Sequence, residues 1–130
     1  MNVPENLKYT ESHEWVRIEG NTAYVGLTDH AQEALGDIVF VEIPQPDEEF
    51  KKREEVAAIE SVKAASAIYA PLSGTIAEAN GELENTPELI NRKPYEAFIF
   101  SINMADPAEA DELLDADAYI KFLEQEENNS

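Results

Sequence analysis

The apolar residues in the first hundred positions come in short runs, each closed by turn-forming residues. Trp15-Val16-Arg17-Ile18 and Thr22-Ala23-Tyr24-Val25-Gly26-Leu27 flank the three-residue turn Glu19-Gly20-Asn21. Ile38-Val39-Phe40-Val41-Glu42-Ile43 stops at Pro44-Gln45-Pro46, where two prolines remove ladder donors. Glu55-Val56-Ala57-Ala58-Ile59-Glu60 and Ala67-Ile68-Tyr69-Ala70 lie on either side of Ser61 to Ser66 and halt at Pro71. Gly74 to Asn80 forms a further run, and Tyr95 to Ile102 the last. Runs this short, rich in branched and aromatic side chains, make strands. Gly36-Asp37-Ile38 and Gly74-Thr75-Ile76 share the order glycine, polar residue, isoleucine, a weak internal repeat of the kind a small two-layered sandwich carries.

Helices are expected only at the periphery. Thr28 to Leu35 reads as one or two turns, with Asp29 and Gln32 spaced as a capping box and Gly36 as the stop. Thr86 before Pro87 is an N-cap followed by an N1 proline, opening a short helix to Asn91. Asp106-Pro107-Ala108-Glu109 repeats the capping-box pattern for a helix through Leu114. Asp115 caps a second helix with Ala116, Tyr119, Ile120 and Leu123 on one face, and residues 124–130 are expected to fray. The chain therefore reads as one domain over 1–130, mostly β, with a core from about 8 to 123 and a C-terminal helical segment.

Charge narrows the partners. Twenty-eight acids against nine bases give a formal net charge of −19, which repels nucleic acid and anionic membrane surfaces. The same acidity serves solubility, or steers the chain towards basic-faced partners. No run approaches the roughly 20 apolar residues of a bilayer span, and Met1 to Asn6, with no basic n-region or apolar h-region, is not expected to act as a signal peptide. A soluble monomer is expected, cytoplasmic in a bacterium or in the mitochondrial matrix as a mature eukaryotic form. With no cysteine, disulfides, thiolate metal sites and cysteine nucleophiles are excluded.

The usual catalytic arrangements are missing. His13 and His30 belong to no metal-spaced cluster, so no metal ligands and no catalytic residues are assigned. Ser61 and Ser66 have no base nearby and read as turn residues, and Trp15 reads as core. What stands out is Lys63, the only charged residue between Ser61 and Ala77. If the flanking runs pair antiparallel, it lies at a hairpin tip. Such a lysine is either an ordinary solvated side chain or a point of covalent attachment.

Glu60-Ser61-Val62-Lys63-Ala64-Ala65-Ser66, followed by Tyr69-Ala70-Pro71-Leu72-Ser73-Gly74, closely resembles the lipoyl-lysine segment of the glycine cleavage H-protein family. Lys8-Tyr9, Ser12-His13-Glu14-Trp15-Val16, Thr28-Asp29-His30-Ala31-Gln32, Leu35 to Glu42, Pro87 to Asn91, Pro94-Tyr95 and Leu113 to Ala116 with Tyr119 extend the resemblance from about Lys8 to Leu123. It implies a small barrel-sandwich hybrid of the lipoyl/biotinyl-carrier kind. It also implies a non-catalytic carrier, with lipoic acid joined to Lys63 in amide linkage. The partners implied are a pyridoxal-phosphate glycine decarboxylase, a tetrahydrofolate-dependent aminomethyltransferase, a flavin dihydrolipoyl dehydrogenase using NAD, and lipoylating enzymes. Glu60 and Gly74 occupy positions the family uses for recognition by the lipoylating enzymes, although a surface acid and a turn glycine would look the same. Ser12 and Glu14 are the implied wall of the cleft that holds the loaded arm.

Three departures from the family pattern concern the arm and the turns. Ala67 stands where an acid is usual. Asp47-Glu48-Glu49 and Lys52-Arg53-Glu54 fill a stretch that usually carries glycines, and Glu96-Ala97-Phe98 replaces a usual Gly-Trp. An H-like carrier used for lipoyl relay or redox signalling fits such departures. A biotin carrier is a further alternative, but Val62 and Ala64 replace the methionines typical of biotinyl sites. An acidic protein acting without modification is the last alternative.

Overall fold

A computed structural model of the chain describes residues 1–129. The strands are β1 (Lys8–Tyr9), β2 (Glu14–Glu19), β3 (Thr22–Leu27), β4 (Ile38–Glu42), β5 (Glu49–Phe50), β6 (Glu55–Ser61), β7 (Ala65–Tyr69), β8 (Gly74–Ala79) and β9 (Phe100–Met104). The helices are α1 (Asp29–Leu35), α2 (Glu82–Asn85), α3 (Leu89–Arg92) and α4 (Ala116–Asn129), with a 3-10 turn at Pro107–Glu112. The strands form two antiparallel sheets, one ordered β1-β2-β3-β9-β8-β5 and the other β4-β6-β7. This is the mostly β architecture, with short peripheral helices and a C-terminal helix, that the sequence pattern implied.

The main core lies between the sheets. Val25, Ile76, Phe100 and Ile102 from the large sheet meet Ile38, Val41, Ile59 and Ile68 from the small one, all buried. A second cluster joins Tyr9 and Trp15 to Ala116 and Tyr119 of α4, with the Tyr9 and Tyr119 rings stacked at 4.6 Å. Trp15 is fully buried, as expected, and its indole N–H donates to the Pro94 carbonyl at 2.8 Å. Gly26 permits this packing, because a Cβ there would stand 2.5 Å from the indole ring.

Several local expectations are corrected. The β2–β3 turn has two residues, since Glu19 pairs with Thr22, and Gly20 supplies the positive φ of 63°. Thr28, not Asp29, caps α1 by accepting from the Ala31 amide, while Asp29 accepts from the Gln32 side chain. Thr86 makes no side-chain cap, and α3 starts at Leu89. The last strand starts at Phe100, because the backbone from Lys93 to Phe98 closes turns on itself.

Asp106 does cap its segment, but as a 3-10 turn. Glu109 is drawn away to the amide and hydroxyl of Ser73, so the capping box does not close. Helix α4 is described through Asn129, with Ser130 of the expected fraying tail outside the described residues, and its Glu126 reaches His13 at 3.2 Å. Ile120, expected on the buried face, is 38% exposed. The two Gly-polar-Ile segments lie one in each sheet, yet Gly36 ends a helix and Gly74 sits inside a ladder. They do different jobs.

Candidate functional site

The hairpin of β6 and β7 places Lys63 at its tip. Glu60 pairs with Ala65, and the Ser61 amide donates to the Ala64 carbonyl at 2.8 Å, leaving Val62 and Lys63 as the two turn residues. Ser61 holds this turn from inside. Its hydroxyl accepts from the amides of Lys63 at 3.3 Å and Ala64 at 3.1 Å, and bonds back to the Ala64 carbonyl at 3.2 Å. The Val62 amide donates across to the Asp37 carbonyl at 3.0 Å, docking the tip on the start of β4.

The Lys63 stem lies over Gly36. A Cβ placed on that glycine would sit 3.4 Å from Lys63 Cε, so the absent side chain leaves room for the stem. Asn91 supports this platform from below. Its amide group donates to the Gly36 carbonyl at 2.8 Å and to Gln32 at 3.1 Å, and its oxygen accepts from the Ile38 amide at 2.9 Å. Sequence reasoning did not single out Asn91 or Gly36 for this task, because their meeting depends on tertiary contact between α1, α3 and β4. Lys63 is exposed, and among the described residues it has no ion-pair partner.

Beside the tip lies an exposed apolar rim. A bulge between Ile38 and Phe40 turns both Val39 and Phe40 outwards, 54% and 51% exposed, and Val62 is 69% exposed. Glu60, opposite Phe40 in the ladder, is also exposed and sets a negative charge among them.

Ser12 and Glu14 come together at the opposite end of β7. Glu14 is 1% exposed, and its carboxylate accepts from the hydroxyls of Ser12 at 2.6 Å and Thr10 at 2.5 Å. Its other oxygen accepts from the Tyr69 amide at 3.2 Å. Burial raises the Glu14 pKa above the ordinary carboxyl value, and these hydrogen bonds oppose the rise. The residues line a cleft of about 590 Å³ with Tyr69 on one wall and Lys52 and Arg53 on the rim. Lys52 is ion-paired with Glu112. A recess of this kind, with one buried carboxyl group and hydroxyls around it, suits a small polar or amine-bearing group. Thr10 is brought to Glu14 by the turn between β1 and β2, where its amide donates to the Glu14 carbonyl at 3.0 Å, a contact that residue spacing alone does not reveal.

Gly74 lies apart from Lys63, in the large sheet, where it pairs with Phe50 and Met104. A Cβ there would stand 2.1 Å from the Asn103 carbonyl oxygen, so packing alone requires glycine. Ala67 pairs with Ala58 and is half-buried. Asp47 and Arg53, in the stretch where glycines are usual, hold left-handed backbones with φ of 74° and 77°. The glycine conformation persists there without the glycine.

Comparison with known proteins agrees along nearly the whole chain. The family model described as Glycine cleavage H-protein matches residues 7–126. The glycine cleavage system H protein of Paraburkholderia xenovorans is 57% identical over 124 residues, covering 95% of this chain and 98% of its own. That of Brevibacillus brevis is 52% identical over 126 residues, covering 96% and 100%. A solved structure, that of a glycine cleavage system H protein from Mycobacterium marinum, superposes with a TM-score of 0.83 at 34% identity. It covers 95% of this chain and 98% of that one.

Proposed function

The chain belongs to the glycine cleavage H-protein family, and on that premise we propose that it is a lipoyl carrier, with lipoic acid in amide linkage on Lys63. The observation that carries this reading is the hairpin tip. A lysine in a two-residue turn, pinned by Ser61 and free of ion-pair partners among the described residues, is open to a modifying enzyme from most directions. The attached group would supply a disulfide that opens, carries a one-carbon amine and is reoxidised, sulfur chemistry that this cysteine-free chain lacks.

The chain's own residues then present and shelter. Ser61, Gly36 and Asn91 fix the base of the arm, and Val39, Phe40 and Val62 give partner enzymes an apolar surface beside it. Glu60 lies close enough to mark the lysine for a lipoylating enzyme. Any share Gly74 has in that recognition comes through the sheet geometry its missing side chain allows. Glu14, steadied by Ser12 and Thr10, would face the amine end of a loaded arm in the cleft and keep water from it. The partners in this reading are a pyridoxal-phosphate glycine decarboxylase, a tetrahydrofolate-dependent aminomethyltransferase, a flavin dihydrolipoyl dehydrogenase and the lipoylating enzymes. The carrier itself performs no catalysis and works in the bacterial cytoplasm. No helix among the described residues is long and apolar enough to cross a membrane.

The test is exchange between glycine and labelled bicarbonate by a purified decarboxylase given the lipoylated chain. Exchange that depends on Lys63 supports the reading. Absence of exchange with fully lipoylated protein overturns the glycine-cleavage role and favours an H-like lipoyl relay or redox-signalling carrier.

A further inference from the structure

Far apart in sequence, His13, His30 and Glu126 converge where α4 crosses the turn before β2 and the start of α1. One ligating atom from each lies within 4.8 Å of the others. The His13 and His30 rings are 4.5 Å apart, and His13 Nε2 faces a Glu126 oxygen at 3.2 Å. We infer that these three residues form a binding site for a divalent first-row transition metal, zinc by donor type, that clasps the C-terminal helix to the body of the domain.

Two imidazoles and one carboxylate are a known donor set for zinc, with a fourth position left for water. Tetrahedral zinc with bonds of about 2.0–2.1 Å needs donors about 3.3 Å apart, so shifts of roughly 1 Å per side chain close the set. The geometry behind the ligands is already in place. Tyr119 hydroxyl holds His13 Nδ1 at 2.8 Å and is itself tied to Thr28 Oγ1 at 2.8 Å, so the ring is oriented with Nε2 forward. A backbone φ of 71° at His13 turns the side chain under α4.

A plain ion pair between His13 and Glu126 explains less. It leaves the His30 ring tilted against a second imidazole, with no hydrogen bond to either ring nitrogen among the described residues. The site is also reachable. A cleft of about 820 Å³ opens on His30 and Glu126, and Glu124 and Glu127 line it as well. In a chain of net charge −19, cations concentrate at such an opening.

Calorimetric titration of zinc chloride into the tag-free full chain at neutral pH tests this. One zinc per chain, with micromolar or tighter affinity and no response to magnesium, is expected. His30→Gln and Glu126→Gln should each weaken binding at least about tenfold, and Tyr119→Phe by about tenfold through the lost orientation of His13. Glu126 is 44% exposed, so its variant folds normally and keeps the test decisive. Cadmium-113 resonance of the substituted protein should shift together with the His13 and His30 ring nitrogens. Equal zinc affinity in wild type and Glu126→Gln, or several weak scattered sites, overturns the proposal.

Discussion

Tyr69 donates its backbone N–H to the buried carboxylate of Glu14 at 3.2 Å. One strand thus links the two parts of the candidate site: β7 leaves the Lys63 turn at Ala65 and ends at Tyr69 on the wall of the cleft.

Glu14 titrates above its ordinary value of 4.5, because burial outweighs the hydrogen bonds from Ser12, Thr10 and Tyr69. Its share of stability is full below pH 4.5 and is lost as pH rises through the folded-state value. Asp29 has the opposite sign. The Asn2 amide at 2.9 Å lowers its pKa, so its contribution is present above 3.8 and fades as pH falls. Carbon-13 titration of the side-chain carboxyls should show both midpoints on the stated sides of those values. A Glu14 midpoint at or below 4.5 contradicts the account.

Arg53 holds a left-handed backbone at φ 77°, anchored by its amide to the Ala70 carbonyl at 2.8 Å. That conformation costs a residue with a Cβ about 1–2 kcal/mol, partly offset by the extra unfolded-state freedom of glycine. Arg53→Gly is therefore expected to raise unfolding stability, by about 1 kcal/mol or less, in urea titration. A loss of stability would mean that the Arg53 side chain holds the cleft rim together.

Gly26→Ala drives a methyl group into the Trp15 indole, 2.5 Å from the built position. Overpacking of this kind costs about 1–3 kcal/mol. Chemical unfolding measures it, and a shift in tryptophan fluorescence should accompany the loss.

Ser61→Ala removes the hydroxyl that satisfies the Lys63 and Ala64 amides. Global stability should fall by only about 0.5–1.5 kcal/mol, as for a typical hydrogen bond. Hydrogen exchange at Ala64 should quicken while Ile59, in the ladder interior, stays protected. Unchanged exchange at Ala64 would remove Ser61 from the account of the tip.

How far the sequence could be read depended on how local each cause was. The β2–β3 and β6–β7 hairpins are visible because alternating apolar runs and a turn lie side by side in the chain. Ser12 and Glu14 sit two residues apart, and the structure does bring their side chains together. Long-range partners were hidden. Glu109 looked like a capping residue but bonds Ser73, thirty-six positions away. The last strand begins at Phe100 rather than Tyr95 because Pro94 and its neighbours turn to meet Trp15. His13 and His30 looked unrelated until α4 closed over them.

Lys63→Arg is expected to fold with stability within about 0.5 kcal/mol of wild type, because the side chain is exposed and adds nothing to the core. It should also carry no added group in its native host. This variant separates the fold from its function.

Intact-mass and peptide mass spectrometry of the protein purified from its native host is the most direct measurement. A gain of one lipoyl group, located on the peptide that contains Lys63 and absent from Lys63→Arg, is the predicted result. An unmodified Lys63 in cells that are lipoylating their other carrier proteins, or a biotinyl group in its place, would contradict the account.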